Sequence, residues 1–109
     1  MDALATRVVG GLVQRHPVLL GEMDAWSGHD NIWLIRTAIL FQLHYGAATD
    51  TERLFGYCTR QAAHPDFFIR KAIGWALRQH ARTDPDAVRG FVAHHRLSPL
   101  SVREATKHL

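Results

Sequence analysis

One short pattern occurs three times in this chain and constrains its fold more than any other feature: Ile35-Arg36-Thr37-Ala38, Ile69-Arg70-Lys71-Ala72 and Val102-Arg103-Glu104-Ala105. The arginines at 36, 70 and 103 lie 34 and 33 residues apart. The first two copies extend further, since WLIRTAILFQL (33–43) laid over FFIRKAIGWAL (67–77) gives five identities in eleven positions. An aromatic faces an aromatic at Trp33/Phe67 and at Phe41/Trp75. Self-similarity at this period marks stacked helical units, each burying its apolar face against its neighbours.

The punctuation supports an all-α reading. Thr49 with Glu52 forms a capping-box pattern ahead of the run 54–63, and Ser101 with Glu104 offers a second. Asp84-Pro85 and Ser98-Pro99 each set a capping side chain before a proline suited to the first helical position. Helices are predicted near 2–16, 18–26, 31–45, 51–63, 67–82, 86–95 and 99–108, joined by short turns with no interdomain linker. At 109 residues, positions 1–109 form one small domain.

Composition narrows the functional classes. No apolar run reaches the roughly 18 residues of a membrane span, and no basic-then-apolar leader opens the chain, so a cytoplasmic location is expected. Cys58 is the only cysteine, which excludes an internal disulfide framework and leaves no zinc set. The eight histidines show no metal-ligand spacing, so neither metal nor organic cofactor is expected. Charge is uneven: residues 1–59 hold four Arg/Lys against six Asp/Glu, and residues 60–109 hold nine against four. A basic half with interleaved aromatics suits a polyanion.

Turning 100° per residue divides the 67–82 helix into two faces. Ile69, Ala72, Ile73, Ala76 and Leu77 fall on the core side. Phe67, Lys71, Gly74, Trp75, Arg78 and Arg82 fall opposite, a cationic and aromatic face with a glycine that admits a close backbone. The equivalent face at 31–45 holds Trp33, Thr37, Leu40 and His44, with Arg36 at its edge. Stacking would set these faces along one concave surface. The bland reading has Trp75 packed on a neighbouring helix and the cations in water. Tetratricopeptide units share the period, but their Gly, Ala and Pro positions do not recur in register, and an Arg-bearing HEAT-like helix pair fits better.

The segments Asp30–Arg36, Phe67–Arg78 and Leu97–Ala105 closely resemble bacterial DNA alkylation repair enzymes of the AlkD type, which are alkylpurine DNA glycosylases. The resemblance spans the whole chain but corresponds to the C-terminal half of members about twice as long. It implies a right-handed HEAT-like helical repeat solenoid of about three helix pairs. In such members a Trp-x-x-x-Asp motif supplies the catalytic carboxylate, which the spacing to His16-Pro17 sets at Asp2, with the tryptophan's place upstream of Met1. Their DNA-gripping arginine falls on Arg36 and their groove tryptophan on Trp75; Lys71, Arg78 and Arg103 would add backbone contacts. The implied partner is double-stranded DNA bearing alkylated bases. The alternatives are a non-catalytic module that binds DNA backbone and a scaffold that binds protein. An apolar flank on the first helix (Leu4, Val8, Leu12) predicts self-association.

Overall fold

In the computed structural model the backbone is described from Asp2 to Leu109 and the side chains from Ala5 onward. Among these residues the chain forms seven α-helices and no strand. They are α1 (Asp2–Arg15), α2 (Leu20–Trp26), α3 (Ile32–Leu40), α4 (Thr51–Arg60), α5 (Phe67–Ala81), α6 (Pro85–His94) and α7 (Pro99–Ala105). Two short 3-10 turns, Pro17–Leu19 and Gly46–Ala48, lead into α2 and α4. The all-α helical repeat expected from the periodicity is therefore the observed fold.

Short polar side chains start most of these helices because they accept from N–H groups that have no partner within the helix. Asn31 Oδ1 accepts from Trp33 N at 2.8 Å and opens α3. Asp66 Oδ1 accepts from Phe68 N at 2.8 Å and opens α5. Asp84 and Ser98 do the same ahead of Pro85 and Pro99, as their sequence context predicted. Two expected caps are corrected. Asp50, not Thr49, caps α4 by accepting from Arg53 N at 3.1 Å, while the Thr49 hydroxyl donates to the Gly46 carbonyl. Ser101 caps nothing; its hydroxyl donates to the Arg70 carbonyl at 2.8 Å and ties α7 to α5.

The helix expected over 31–45 stops at Leu40. A turn over 41–44 and the 3-10 turn follow, with Gly46 at φ 56°. Such a φ is cheap only for glycine. The Gln42 amide closes this turn, donating to the Asp50 carbonyl at 3.1 Å and accepting from the Asp50 N–H at 2.6 Å.

Helix α5 is the hub, packed against α3 on one side and α7 on the other. Its predicted inner residues Ile69, Ala72, Ile73, Ala76 and Leu77 are all buried, and Ile69, Ala72, Ile73 and Leu77 lose all their exposure. Burying an Ile or Leu side chain contributes roughly 1.5–3 kcal/mol, so this face is a large part of what joins α5 to its neighbours. On α1, Val8 and Leu12 stand in solvent at 52% and 38% exposure, as the apolar flank predicted. The side chain of Leu4 lies outside the described residues.

Candidate nucleic-acid interface

Capping geometry builds this site. Asn31 and Asp66 hold the first turns of α3 and α5 in place, and the second residue beyond each cap is an aromatic: Trp33 and Phe68. Their rings meet at 5.8 Å, and Phe67 meets Phe68 edge-on at 5.4 Å. All three are exposed, with Trp33 and Phe67 at 53% and Phe68 at 46%. Apolar rings of this size normally go inside, so a contiguous group of three in water is a departure from ordinary burial.

Arg36 lies beneath that group. Its Nη1 donates to the Phe68 carbonyl oxygen, which bridges α3 to α5. The guanidinium carbon sits 5.9 Å from the Trp33 ring centre and 5.7 Å from that of Phe68. The arrangement thus fixes a permanent cation between two π faces, close to the first turn of a helix. Lys71 stands in solvent with Nζ 5.8 Å above the Phe67 ring.

The sequence set Arg36 and Trp75 along one open trough, and that openness is corrected. Arg36 is only 6% exposed, and Trp75 is half-buried against the core. Leu40, assigned to the groove face, is 1% exposed inside the core. Gly74 does admit a close neighbour, but the neighbour is α7: a Cβ there would lie 2.5 Å from Glu104 Cβ and 3.2 Å from the Ser101 carbonyl oxygen. Arg78 belongs to the same contact, pairing with Glu104 at 3.2 Å. The middle of the predicted α5 face, at Gly74 and Arg78, is thus a helix–helix seam. Arg82 and Arg103 are exposed. The side chain of Asp2 lies outside the described residues, although its backbone opens α1.

Helical spacing missed Phe68, because aligning the arginines pairs Trp33 with Phe67. Counting from the caps pairs Trp33 with Phe68, which is the contact that forms. The same count explains the arginines. Arg36 lies five residues past Asn31 and reaches the next helix, whereas Arg70 lies four past Asp66. One residue turns a helix by 100°, and Arg70 Nε donates instead to the His64 carbonyl in its own entry loop at 2.9 Å.

A second polar group, unpredicted, joins α2 to α4. Asp24 accepts from Arg53 Nε at 3.0 Å and from Nη2 at 3.1 Å, and Tyr57 donates its hydroxyl to the same carboxylate. The Arg53 hydrogen bonds hold the Asp24 carboxyl below its usual range, while burial and that anion push the Tyr57 hydroxyl up. This network is a clasp whose donors and acceptors are matched. Burial pushes the Cys58 thiol up to about 12, so it is an inert core group. Among the described residues no group of three or more His, Cys, Asp or Glu is placed to hold a metal ion. Nor is any helix there long and apolar enough to cross a membrane.

The family model for the DNA alkylation repair enzyme matches residues 1–109. The solved structure of a protein described as a predicted DNA alkylation repair enzyme from Enterococcus faecalis is similar, with a TM-score of 0.86 and 34% sequence identity. The similarity covers 93% of this chain and 48% of that one, so the chain spans about half the length of that relative. No curated protein matches the chain.

Proposed function

The chain belongs to the DNA alkylation repair enzyme family, and from that membership we propose that it is the part of a DNA glycosylase that holds duplex DNA at a cationic alkylated purine. The observation that carries this reading is the exposed Trp33–Phe68–Phe67 group with the Arg36 guanidinium fixed beneath it. Aromatic faces beside cations are what a flexed nucleic acid strand requires, because bases and sugars stack while phosphates are neutralised.

The chemistry follows from the substrate. An N7-alkylguanine or N3-alkyladenine carries its positive charge on the base. Cleaving the glycosidic bond frees a neutral base and moves positive charge to the sugar. A carboxylate at that point stabilises the developing oxocarbenium ion and orients the attacking water; this role is proposed for Asp2. Trp75 would present its π face to the cationic nucleotide, an attraction of about 0.5–2 kcal/mol. Arg36 would attract the flanking phosphate as a rigid buried charge rather than as a swinging arm, since it is held by the Phe68 carbonyl. Lys71 and Arg103, both exposed, would add salt-sensitive backbone contacts. Arg78 would contribute less because Glu104 already engages it. The apolar flank of Val8 and Leu12 would support self-association, seen as a rise in sedimentation coefficient with concentration.

Incubation with duplex DNA containing N7-methylguanine, followed by measurement of freed base, tests the proposal. Release that falls about 100-fold or more in Asp2→Asn supports the glycosylase. Salt-sensitive binding without release identifies a module that only grips DNA, and absence of binding at low salt removes both DNA readings.

A further inference from the structure

The loops that lead into α3, α5 and α7 lie along one edge of the molecule. Gln61 Nε2 donates to the Ser27 carbonyl at 2.7 Å and joins the first loop to the second. The Ser101 bond to the Arg70 carbonyl sets the first turn of α7 beside that of α5. Counted from the cap of each helix, the loops repeat a feature that the arginine register hides. His29 stands two residues before Asn31, His64 two before Asp66, and Arg96 two before Ser98. Side chains with nitrogen donors thus recur at one place, on the edge where Trp33, Phe67 and Phe68 stand in solvent.

The two histidines are held alike. His29 Nδ1 accepts from the Asn31 N–H at 2.9 Å, and His64 Nδ1 accepts from the Asp66 N–H at 3.0 Å. A neutral ring that accepts at Nδ1 carries its proton on Nε2, so each entry turn fixes the tautomer and directs an N–H away from the backbone. His29 and Arg96 are exposed and His64 is half-buried, and Nε2 of neither ring is shut from solvent as the His80 nitrogens are. Arg70 Nε pins the second loop further by donating to the His64 carbonyl at 2.9 Å. Donors set in place beforehand lose little freedom when an acceptor arrives. Asp30, exposed beside His29, carries the opposite charge, so this end of the row offers a directed N–H rather than net positive charge. An acceptor that meets such donors at regular intervals is a phosphodiester backbone. Packed helices lie about 8–10 Å apart, so the row covers about 16–20 Å, the rise of roughly five or six nucleotides of one strand.

We propose that His29, His64 and Arg96 form a row that hydrogen-bonds phosphates of one DNA strand and sets the duplex against the aromatic edge without reading its sequence. The row rests on the DNA reading given above and adds the groups that position the strand.

Affinity of the full chain for an unmodified duplex, followed by fluorescence anisotropy across a salt series, separates this contact from the local turn. Asparagine at either histidine keeps an acceptor for the cap N–H, as in an Asx-turn, but has no nitrogen at the Nε2 position. Glutamine does the reverse, since its amide nitrogen reaches that position and the local acceptor is given up. His29→Asn and His64→Asn should each weaken binding about three- to tenfold with the salt slope unchanged, whereas His29→Gln and His64→Gln stay closer to the wild type. Arg96→Gln should weaken binding and lower the salt slope by about one. Asn variants that bind as tightly as the wild type, or Gln variants weakened more than the Asn ones, would overturn the row and leave the DNA reading standing. A wild-type chain that binds no duplex at low salt would overturn both.

Discussion

The two ends of the α3–α5 pair break opposite rules. At the N-terminal end, Trp33, Phe67 and Phe68 hold apolar rings in water. At the C-terminal end, His80 holds polar atoms away from it. Between them lies the ordinary core of Ile35, Ile39, Ile69 and Ile73, in which neither fault occurs. Both departures cost folding free energy. Exposed apolar surface forgoes about 25 cal/mol for each Å² left in water, and an unmet buried polar group costs about 1–3 kcal/mol. What differs is the side on which each fault lies. The aromatic end faces solvent, with Lys71 beside it, whereas the His80 ring nitrogens are closed off from solvent within the packed side chains.

Substitutions can break this contrast, beginning with the one of largest effect. Arg36→Ala strikes the aromatic end at its floor. It removes the Arg36–Phe68 hydrogen bond that bridges α3 to α5 and opens a gap between the two helices, so urea denaturation should show a loss of about 1–3 kcal/mol. Duplex affinity should fall together with that stability. His80→Phe should act in the opposite sense, raising neutral-pH stability by about 1 kcal/mol because the unmet nitrogens are removed.

The same variant sharpens the contrast through pH. Burial holds the folded-state pKa of His80 below the ordinary histidine value of about 6.5. The unfolded chain therefore binds the proton first, and this contribution to stability is complete above about pH 6.5 and declines as the pH falls below it. Thermal melts of the wild type should lose stability between pH 6.5 and 5 more steeply than melts of His80→Phe. Parallel curves would mean that the imidazole is solvated after all. The smallest effect belongs to Glu104→Gln. Its partly exposed pair with Arg78 should contribute no more than about 1 kcal/mol. Freeing that arginine should slightly tighten low-salt DNA binding.

Much of the scaffold could be read before any coordinates. Period and apolar phase found the hub helix, and the Asp84-Pro85 and Ser98-Pro99 pairs marked true helix starts. Phase also set the direction of Ile69 and Leu77 correctly, because a core face is fixed by local geometry alone. The outer face could not be read this way. Whether Gly74 and Arg78 meet water or a helix depends on where α7 docks, and no residue of α5 records that. Arg36 shows the same difficulty from another side. Its repeat position marks it as special, but its burial follows from the Phe68 carbonyl that receives it, 32 residues away. The Asp24–Arg53–Tyr57 clasp and the Phe55–His80 contact join residues with no common period, so the sequence carries no signal for either.

The sharpest test of the aromatic edge as the DNA contact is the affinity of three proteins for one duplex bearing a cationic alkylated base, measured at fixed low salt: wild type, Trp33→Ala and His80→Phe. Loss of one base-stacking ring should weaken Trp33→Ala about tenfold, while His80→Phe stays level with the wild type. Undiminished binding by Trp33→Ala, or an equal loss in both variants, would contradict the assignment of DNA to that edge.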